Sequence, residues 1–316
     1  MMRKPVVDLL LALLLAGLFG PLAAFAETAY VPNEKSASLS LIDTASDQVL
    51  QTVAVGQRPR GIAVGARELY LSDGKSGSLL ILDRASGRSL HSLRLGASPE
   101  GVSLSPDGRL LAVAVEDDNA VHLVSTVDRR EVAKIAVAGK NPEHAVFSPD
   151  GRWLYVSAEE AEQVDVIDLR QRRQVAHIPV GQRPRGIGFL PDGRLAYVAC
   201  ELAGKVYALD TARQRVVAEI AVGQYPNGIA VHPDGQRVYV SNGRDASVME
   251  IDVASQQVVA TIAVGKRPWN MALTAAGDKL YVANGRSGTV SVIDTGRRQA
   301  LGDIAVGELP WGVAIR

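Results

Sequence analysis

The chain has a single cysteine, Cys200, so no disulfide can cross-link it, and the haem-attachment signature C-x-x-C-H is excluded as well. Aromatic residues are scarce, at 5%. Lysine plus arginine and aspartate plus glutamate number 34 each, which leaves no net charge and argues against nucleic acid as a partner. No window sustains a 3.6-residue apolar period long enough for a helix. What is present is a 316-residue chain, 47% hydrophobic, with an ordinary globular composition and enough apolar material for a large core.

One apolar run, Leu9 to Ala26, carries no charge. Residues 1–26, MMRKPVVDLLLALLLAGLFGPLAAFA, open on Arg3 and Lys4, pass through a leucine-rich stretch from Leu9 and end in Ala24-Phe25-Ala26 before Glu27. That order predicts a cleaved secretory signal followed by one domain over residues 27–316, periplasmic or secreted. An uncleaved anchor is the alternative, disfavoured by Gly17, Gly20, Pro21 and the small residues at the exit. No cysteine follows the cleavage site to carry a lipid, so the expected mature form is a monomer with no membrane span.

The remainder is periodic. VGQRPRGI occupies residues 55–62 and recurs letter for letter at 180–187. It belongs to a longer series, V-G-x-x-P and variants, whose prolines are Pro59, Pro99, Pro142, Pro184, Pro226, Pro268 and Pro310, spaced 40, 43, 42, 42, 42 and 42. A second mark has the same period: Tyr30, Tyr70, Tyr155, Tyr197, Tyr239 and Tyr281, with Ala112 in the remaining unit, each stand 13 residues before a strand end such as Asp43, Asp83 or Asp168.

Within residues 224–265, Gly228 to Val231 and Val238 to Ser241 read as strands joined by a type I turn at His232-Pro233-Asp234-Gly235. Ser247 to Asp252 and Val258 to Val264 supply two more. A four-stranded unit of this size cannot cover both its faces and must pack on copies of itself, which predicts an all-β propeller. The N-terminal segment supplies only the last three strands of a unit, and Pro310 to Arg316 supplies only a first strand. Seven blades are therefore expected, the seventh sewn from both chain ends.

In such a ring V-G-x-x-P-x-G connects the outermost strand of one blade to the innermost strand of the next, at the mouth of the central channel. Gly56 and Gly181 are expected to permit the sharp turn, with Pro59 and Pro184 fixing the backbone after it. Arg58, Arg60, Arg183 and Arg185 are not needed by the turn, since other units place Ser98, Glu100, Asn141 and Asn227 there. The residue after each proline is Arg60, Glu100, Glu143, Arg185, Asn227, Trp269 or Trp311, one per blade on one face.

The loops NEKSA, DGKSG, EDDNA, EEAEQ, ELAGK, NGRDA and NGRSG should open on that face too. Acid gathers at Glu100, Glu116, Asp117, Asp118, Glu143, Glu159 and Glu160; base gathers across the ring at Arg58, Arg60, Lys75, Arg244, Lys266, Arg267 and Arg286. A dipolar face is expected. Arg58, Arg60, Arg183, Arg185, Asn227, Trp269 and Trp311 are its candidate binding residues, suited to a protein partner or a small anionic ligand, because arginine grips carboxylates at two points and tryptophan supplies contact area. Packing at the closure is the other role open to the tryptophans.

The five histidines, His91, His122, His144, His177 and His232, fall at different positions of the repeat, so no metal pair is set by the periodicity and no metal or cofactor is expected. Glu143-His144, with Glu100 one blade earlier, is the candidate for acid/base work. The aspartates that close third strands read as turn formers, and the periodic tyrosines as packing between blades.

YVSN (239–242), YVAN (281–284), SVID (291–294) and VVATIAVG (258–265) resemble the YVTN family of β-propeller repeats, over all of residues 29–316. WD40 is a poorer match, since no Gly-His or Trp-Asp pairs recur. VGQRPRGI and the ending VGELPWGVAIR further resemble a secreted seven-repeat subgroup associated with pyrroloquinoline quinone (PQQ)-dependent alcohol catabolism. That resemblance implies an accessory role near a quinoprotein dehydrogenase, not binding of the quinone; the tryptophan-rich repeat and vicinal cysteines of such dehydrogenases are missing. The leading expectation is a non-catalytic periplasmic binding or scaffold propeller. The alternatives are a lactonase-type hydrolase, since related propellers hydrolyse lactones at this end of the channel, and an adhesive or structural protein of the cell envelope.

Overall fold

The computed structural model describes residues 27–316, and the expected signal over residues 1–26 lies outside them. The described chain forms 28 strands in seven four-stranded sheets, each antiparallel throughout. Blades 2 to 7 are residues 59–94, 99–136, 142–179, 184–221, 226–263 and 268–305. Each runs outward from the channel in chain order. No helix is long and apolar enough to cross a membrane among these residues.

Blade 1 is made from both ends. Strands Thr28–Asn33, Ser38–Asp43 and Gln48–Ala54 are completed on the inside by Ala314–Ile315, with Ala29 opposite Ile315 and Tyr30 opposite Ala314. Asn33 bridges Pro310, the Trp311 amide donates to the Pro32 carbonyl at 2.9 Å, and the Thr28 amide donates to the Arg316 carbonyl at 2.9 Å. The predicted closure is therefore present, and it satisfies backbone groups that an open ring would leave as two unpaired edges.

The core lies between blades, not within them. Seven apolar clusters each join one blade to the next; the last packs Tyr281, Val290 and Val292 of blade 7 against Ala29, Val31 and Val313 of blade 1. Tyr155, Tyr197, Tyr239 and Tyr281 are fully buried there. Their hydroxyls reach turns of the following blade where a partner is available: Tyr197 accepts from Gln256 Nε2 at 2.7 Å, and Tyr281 lies 3.2 Å from the Thr44 carbonyl and against Asp47. The third-strand aspartates form the expected turns, Asp252 accepting from the Ser255 amide and hydroxyl.

Two details differ from the sequence reading. The inner strand of blade 6 starts at Pro226 rather than Gly228, because Pro226 already pairs with Asn242; pairing then skips to Ile229 opposite Val240. The same bulge recurs in blades 2 to 7. It pushes the two residues after each proline out of the ladder, at the channel mouth.

The second difference concerns the turn. Gly56 is left-handed as expected, at φ 56°, but Gly181 is not; Arg183 takes that conformation instead, at φ 60°. Identical octapeptides thus fold differently. In the first copy Asp73 accepts the Gln57 and Arg58 amides at 3.0 and 2.7 Å, which places the kink at Gly56. The second copy has Cys200 at the equivalent strand end, which offers no carboxylate, and the kink moves to Arg183. Ser98, Asn141, Tyr225, Arg267 and Leu309 do the same in the other units.

The residue after the bulged position is glycine in five blades: Gly61, Gly101, Gly186, Gly228 and Gly312. A Cβ on Gly228 would stand 2.5 Å from the Trp269 carbonyl oxygen, and one on Gly186 2.5 Å from that of Asn227, so adjacent inner strands touch at this level. Gly108, left-handed at φ 71°, has no neighbour within 4 Å and is needed only for its conformation. Gly228→Ala is expected to cost about 2–3 kcal/mol through overpacking, and Gly108→Ala about 1 kcal/mol through left-handed strain alone. Urea midpoints check the order; equal costs would reject close strand contact as the reason for the channel glycines.

Candidate functional site

The bulges gather the post-proline residues into a funnel. Arg58, Arg60, Arg183, Arg185, Asn227, Trp269 and Trp311, all seven binding candidates, line one cavity of about 260 Å³, with Glu34, Glu116, Glu143, Glu159, Arg267 and Asn270. The remaining basic residues of the expected positive half do not join them: Lys75, Arg244, Lys266 and Arg286 are exposed to solvent outside the cavity.

The charges interleave where a dipolar face was expected. Arg60 reaches Glu100 of blade 3 and, at 3.2 Å, Glu34 of blade 1, while Arg58 Nε donates to Glu34 at 2.8 Å. Arg185 spreads over three carboxylates, Glu143 at 2.9 Å, Glu159 at 2.8 Å and Glu201 at 2.9 Å. Arg183 pairs with Glu159 and lies 3.4 Å from Glu201, to which Arg267 donates at 2.7 Å. The sequence split acids and bases by blade; the long side chains cross between blades and pair.

Glutamate or glycine at the first position of the upper loop decides which side chain fits where, a signal that the sequence reading passed over. Blades 1, 3, 4 and 5 place Glu34, Glu116, Glu159 and Glu201 there; blades 2, 6 and 7 place Gly74, Gly243 and Gly285. Each glycine leaves room for a neighbour. A Cβ would meet Arg58 at 3.6 Å over Gly74, Arg267 at 3.2 Å over Gly243, and the Trp269 ring at 2.5 Å over Gly285.

Both tryptophans face the cavity. Trp311 also serves the closure through its backbone, while its ring crosses from blade 1 to pack on His144 of blade 4, with centroids 5.6 Å apart and planes at 39°. His144 and Asn270 are the side chains that replace glycine in the second layer of the channel. Gly101 makes space for the imidazole, since a Cβ there would lie 2.7 Å from Nδ1.

The three acid/base candidates take different places. Glu143 lines the cavity and is nearly buried; burial would raise its pKa, but the charges of Arg185 and Arg60 outweigh that and hold it below the usual carboxylate range. Burial lowers the His144 pKa, which leaves a neutral imidazole near pH 7. Glu100 is fully buried behind Arg60 and does not line the cavity. Its burial and the charge of Glu143 push its pKa up to about 9 despite Arg60. Cys200 is buried and inert as a thiol, pushed up to about 12 by desolvation.

The oxygens of three of these carboxylates, Glu116, Glu143 and Glu159, come within 4.8 Å of one another. None of the three is a histidine, so the histidine spacings give no sign of them.

Comparisons with known proteins agree on the architecture. The family model that matches is Lactonase, 7-bladed beta-propeller. It matches residues 167–305, less than half of the chain, a span that holds Arg183, Arg185, Glu201, Asn227, Arg267 and Trp269 but not Glu143 or His144. Among solved structures the chain is similar to Kuenenia stuttgartiensis hydrazine synthase, at 24% identity and TM-score 0.78, over 85% of this chain and 92% of that one. It is also similar to a functionally unknown protein from Desulfotomaculum acetoxidans DSM 771, at 18% identity and TM-score 0.79, over 91% and 98%. At these identities the likeness is one of fold. No curated protein matches.

Glu100 sets a pH dependence with a definite sign. Between its unperturbed pKa of 4.5 and about 9 the folded state holds a proton that the unfolded state has released. Its contribution to stability, full below the unfolded value, is therefore lost as pH rises through the folded value. Glu143, shifted the other way, acts only on the acid side. Glu100→Gln, a neutral isostere of the protonated acid, is expected to gain stability relative to the parent as pH rises across that window. Urea midpoints at several pH values test this; a difference that does not change with pH would mean that Glu100 is ionised throughout.

Proposed function

We propose that this protein binds a small polar molecule carrying a carboxylate or a lactone carbonyl at the mouth of its channel, and that hydrolysis of a lactone is the chemistry it supports. The convergence of five arginines, two tryptophans and Glu143 on one cavity of about 260 Å³, with His144 packed behind the Trp311 ring that lines it, carries this reading. The lactonase family match over blades 5 to 7 supports it.

The chemistry follows from the protonation states. Arginine N–H groups would donate to the carbonyl oxygen and to the charge that grows on it. The neutral His144 would take a proton from the attacking water, with the Glu143 carboxylate beside it stabilising the imidazolium that results. Collapse of the tetrahedral intermediate breaks the ring C–O bond, and the leaving alkoxide recovers that proton from the imidazolium. A tryptophan face would cover the apolar side of the ligand.

A protein partner fits this site less well. The side chains of Arg60 and Arg185 are only 17% and 14% exposed, and a flat surface could not reach them. Capture of a small anion without turnover is the second reading, favoured by the pairing of every mouth arginine with glutamate, since binding would then exchange one carboxylate for another. We place the protein outside the cytoplasm, as a YVTN-type propeller, on the strength of residues 1–26 and of the repeat resemblance; the PQQ-associated subgroup is the narrower form of that reading.

A panel of lactones of different ring size and polarity, assayed with and without added divalent metal, tests the hydrolytic reading. Glu143→Gln and His144→Gln are each expected to lower kcat by about 100-fold or more, the usual range for a lost acid/base group. Binding of the product acid without turnover of any lactone would favour the second reading.

A further inference from the structure

We propose that the face opposite the mouth, across blades 3 to 5, is a docking surface for an acidic segment of a partner protein, anchored at Arg152 and Trp153. Each blade presents two turns there, one between its first and second strands and one between its third and fourth. In blades 3 to 5 these turns, residues 105–109, 125–130, 148–152, 168–173, 190–194 and 210–215, hold ten arginines against six aspartates, with no lysine or glutamate. All ten arginines are exposed. The third-to-fourth-strand turns of blades 1 and 6, residues 43–48 and 252–257, carry none, so the charge is confined to one sector of the face.

The aspartates are occupied by the turns themselves. Asp107, Asp150 and Asp192 accept the amides of Arg109, Arg152 and Arg194, and Asp168 and Asp210 accept those of Arg170 and Arg213. Four guanidinium groups find a carboxylate, on Arg129, Arg130, Arg194 and Arg213. Arg109, Arg152, Arg170, Arg172, Arg173 and Arg215 have none within 4.0 Å among the described residues, whereas every arginine of the mouth is paired. Neighbouring turns touch: a Cβ on Gly151 would lie 3.8 Å from Pro106 of blade 3, and one on Gly193 3.7 Å from Pro149 of blade 4. Between blades 4 and 5 they enclose a depression of about 470 Å³, lined by Arg152, Trp153, Thr211 and Gln214, with Asp150 and Asp192. There the Arg152 guanidinium lies 4.4 Å over the Trp153 ring, at a position that blades 3 and 5 fill with Leu110 and Leu195. Tryptophan and arginine in a concave site, ringed by unpaired guanidinium groups, offer apolar contact at the centre and two-point grips for carboxylates around it. The interspersed aspartates would repel an unbroken row of phosphates, while a protein segment can set donors against them.

This surface lies away from the hydrolytic mouth and is measured without any lactone, so the two readings fail separately. The probe is a fluorescein-labelled decapeptide of glutamates with one central leucine, followed by anisotropy at low ionic strength. Saturable binding is expected, weakening as salt is added, and the same peptide with glutamine for glutamate should not bind. Arg152→Glu and Arg172→Glu should each weaken binding about tenfold or more, the loss typical of a central charged anchor. Arg297→Glu, the same charge change at an exposed turn of blade 7, should leave it unchanged. Trp153→Leu, which keeps every charge, should weaken it in the same direction as Arg152→Glu. Absence of peptide binding would overturn the proposal, as would an equal loss in Arg297→Glu or an affinity unchanged in Trp153→Leu. Tighter binding of phosphatidylglycerol vesicles or of a single-stranded oligonucleotide, compared at equal concentration of charge, would overturn it in favour of a polyanion.

Discussion

A four-stranded sheet of about 42 residues has two apolar faces and nothing of its own to cover them. The rest of the molecule follows from that. Each blade can be buried only by another blade on each side, so the stack has no natural end until it meets itself. Closure at blade 1 is where this is resolved, by the pairing of Tyr30 with Ala314 and by Tyr281 packed into the same cluster as Ala29 and Val31. Nothing distinguishes this junction chemically from the other six, which explains why the core is seven similar clusters.

Ring geometry then makes a site from residues that no single blade could bring together. The bulge after each proline re-aims one side chain per blade into the channel, and the glycine that follows lets the inner strands approach closely enough for those side chains to meet. The repeat supplies the address, and each blade varies the residue placed there. Two blades break the glycine rule with His144 and Asn270, and His144 is the residue that Trp311 reaches from the far side of the channel. Departures from a repeat, once its structural positions are understood, mark the sites where chemistry can differ.

Fold and address were legible in the sequence because both are periodic: two marks with one spacing give the blade count, and the incomplete terminal units give the closure. All seven binding candidates line the cavity, Arg60, Arg185, Asn227, Trp269 and Trp311 from the position after proline and Arg58 and Arg183 from the one before it, whereas Glu100, which also follows a proline, is buried behind Arg60. Pairing was not legible. Arg185 touches Glu143, Glu159 and Glu201, which lie 42, 26 and 16 residues away, and no rule of spacing says how far a guanidinium extends across a channel. Nor could the octapeptide reveal its own two conformations, because the residue that decides between them is Asp73 in one blade and Cys200 in the other. Local sequence was identical; its partner on the second strand was not.

The interleaved charges carry a consequence for how such a mouth can work. A buried guanidinium left alone would cost several kcal/mol in lost hydration, so the arginines that line this cavity can be recessed only because glutamates stand beside them. Those same glutamates hold the guanidinium planes in place, with Arg185 fixed by three partners before any ligand arrives. A ligand carboxylate or carbonyl therefore meets donors that need little rearrangement, and what it must overcome is competition from carboxylates already present. Selectivity in such a site comes from fit to a fixed pattern of donors and acceptors more than from net charge. Glu116, on the blade 3 side, is the exception, an acid that meets only a hydroxyl, and it makes the mouth locally asymmetric although the charges of the whole chain sum to zero.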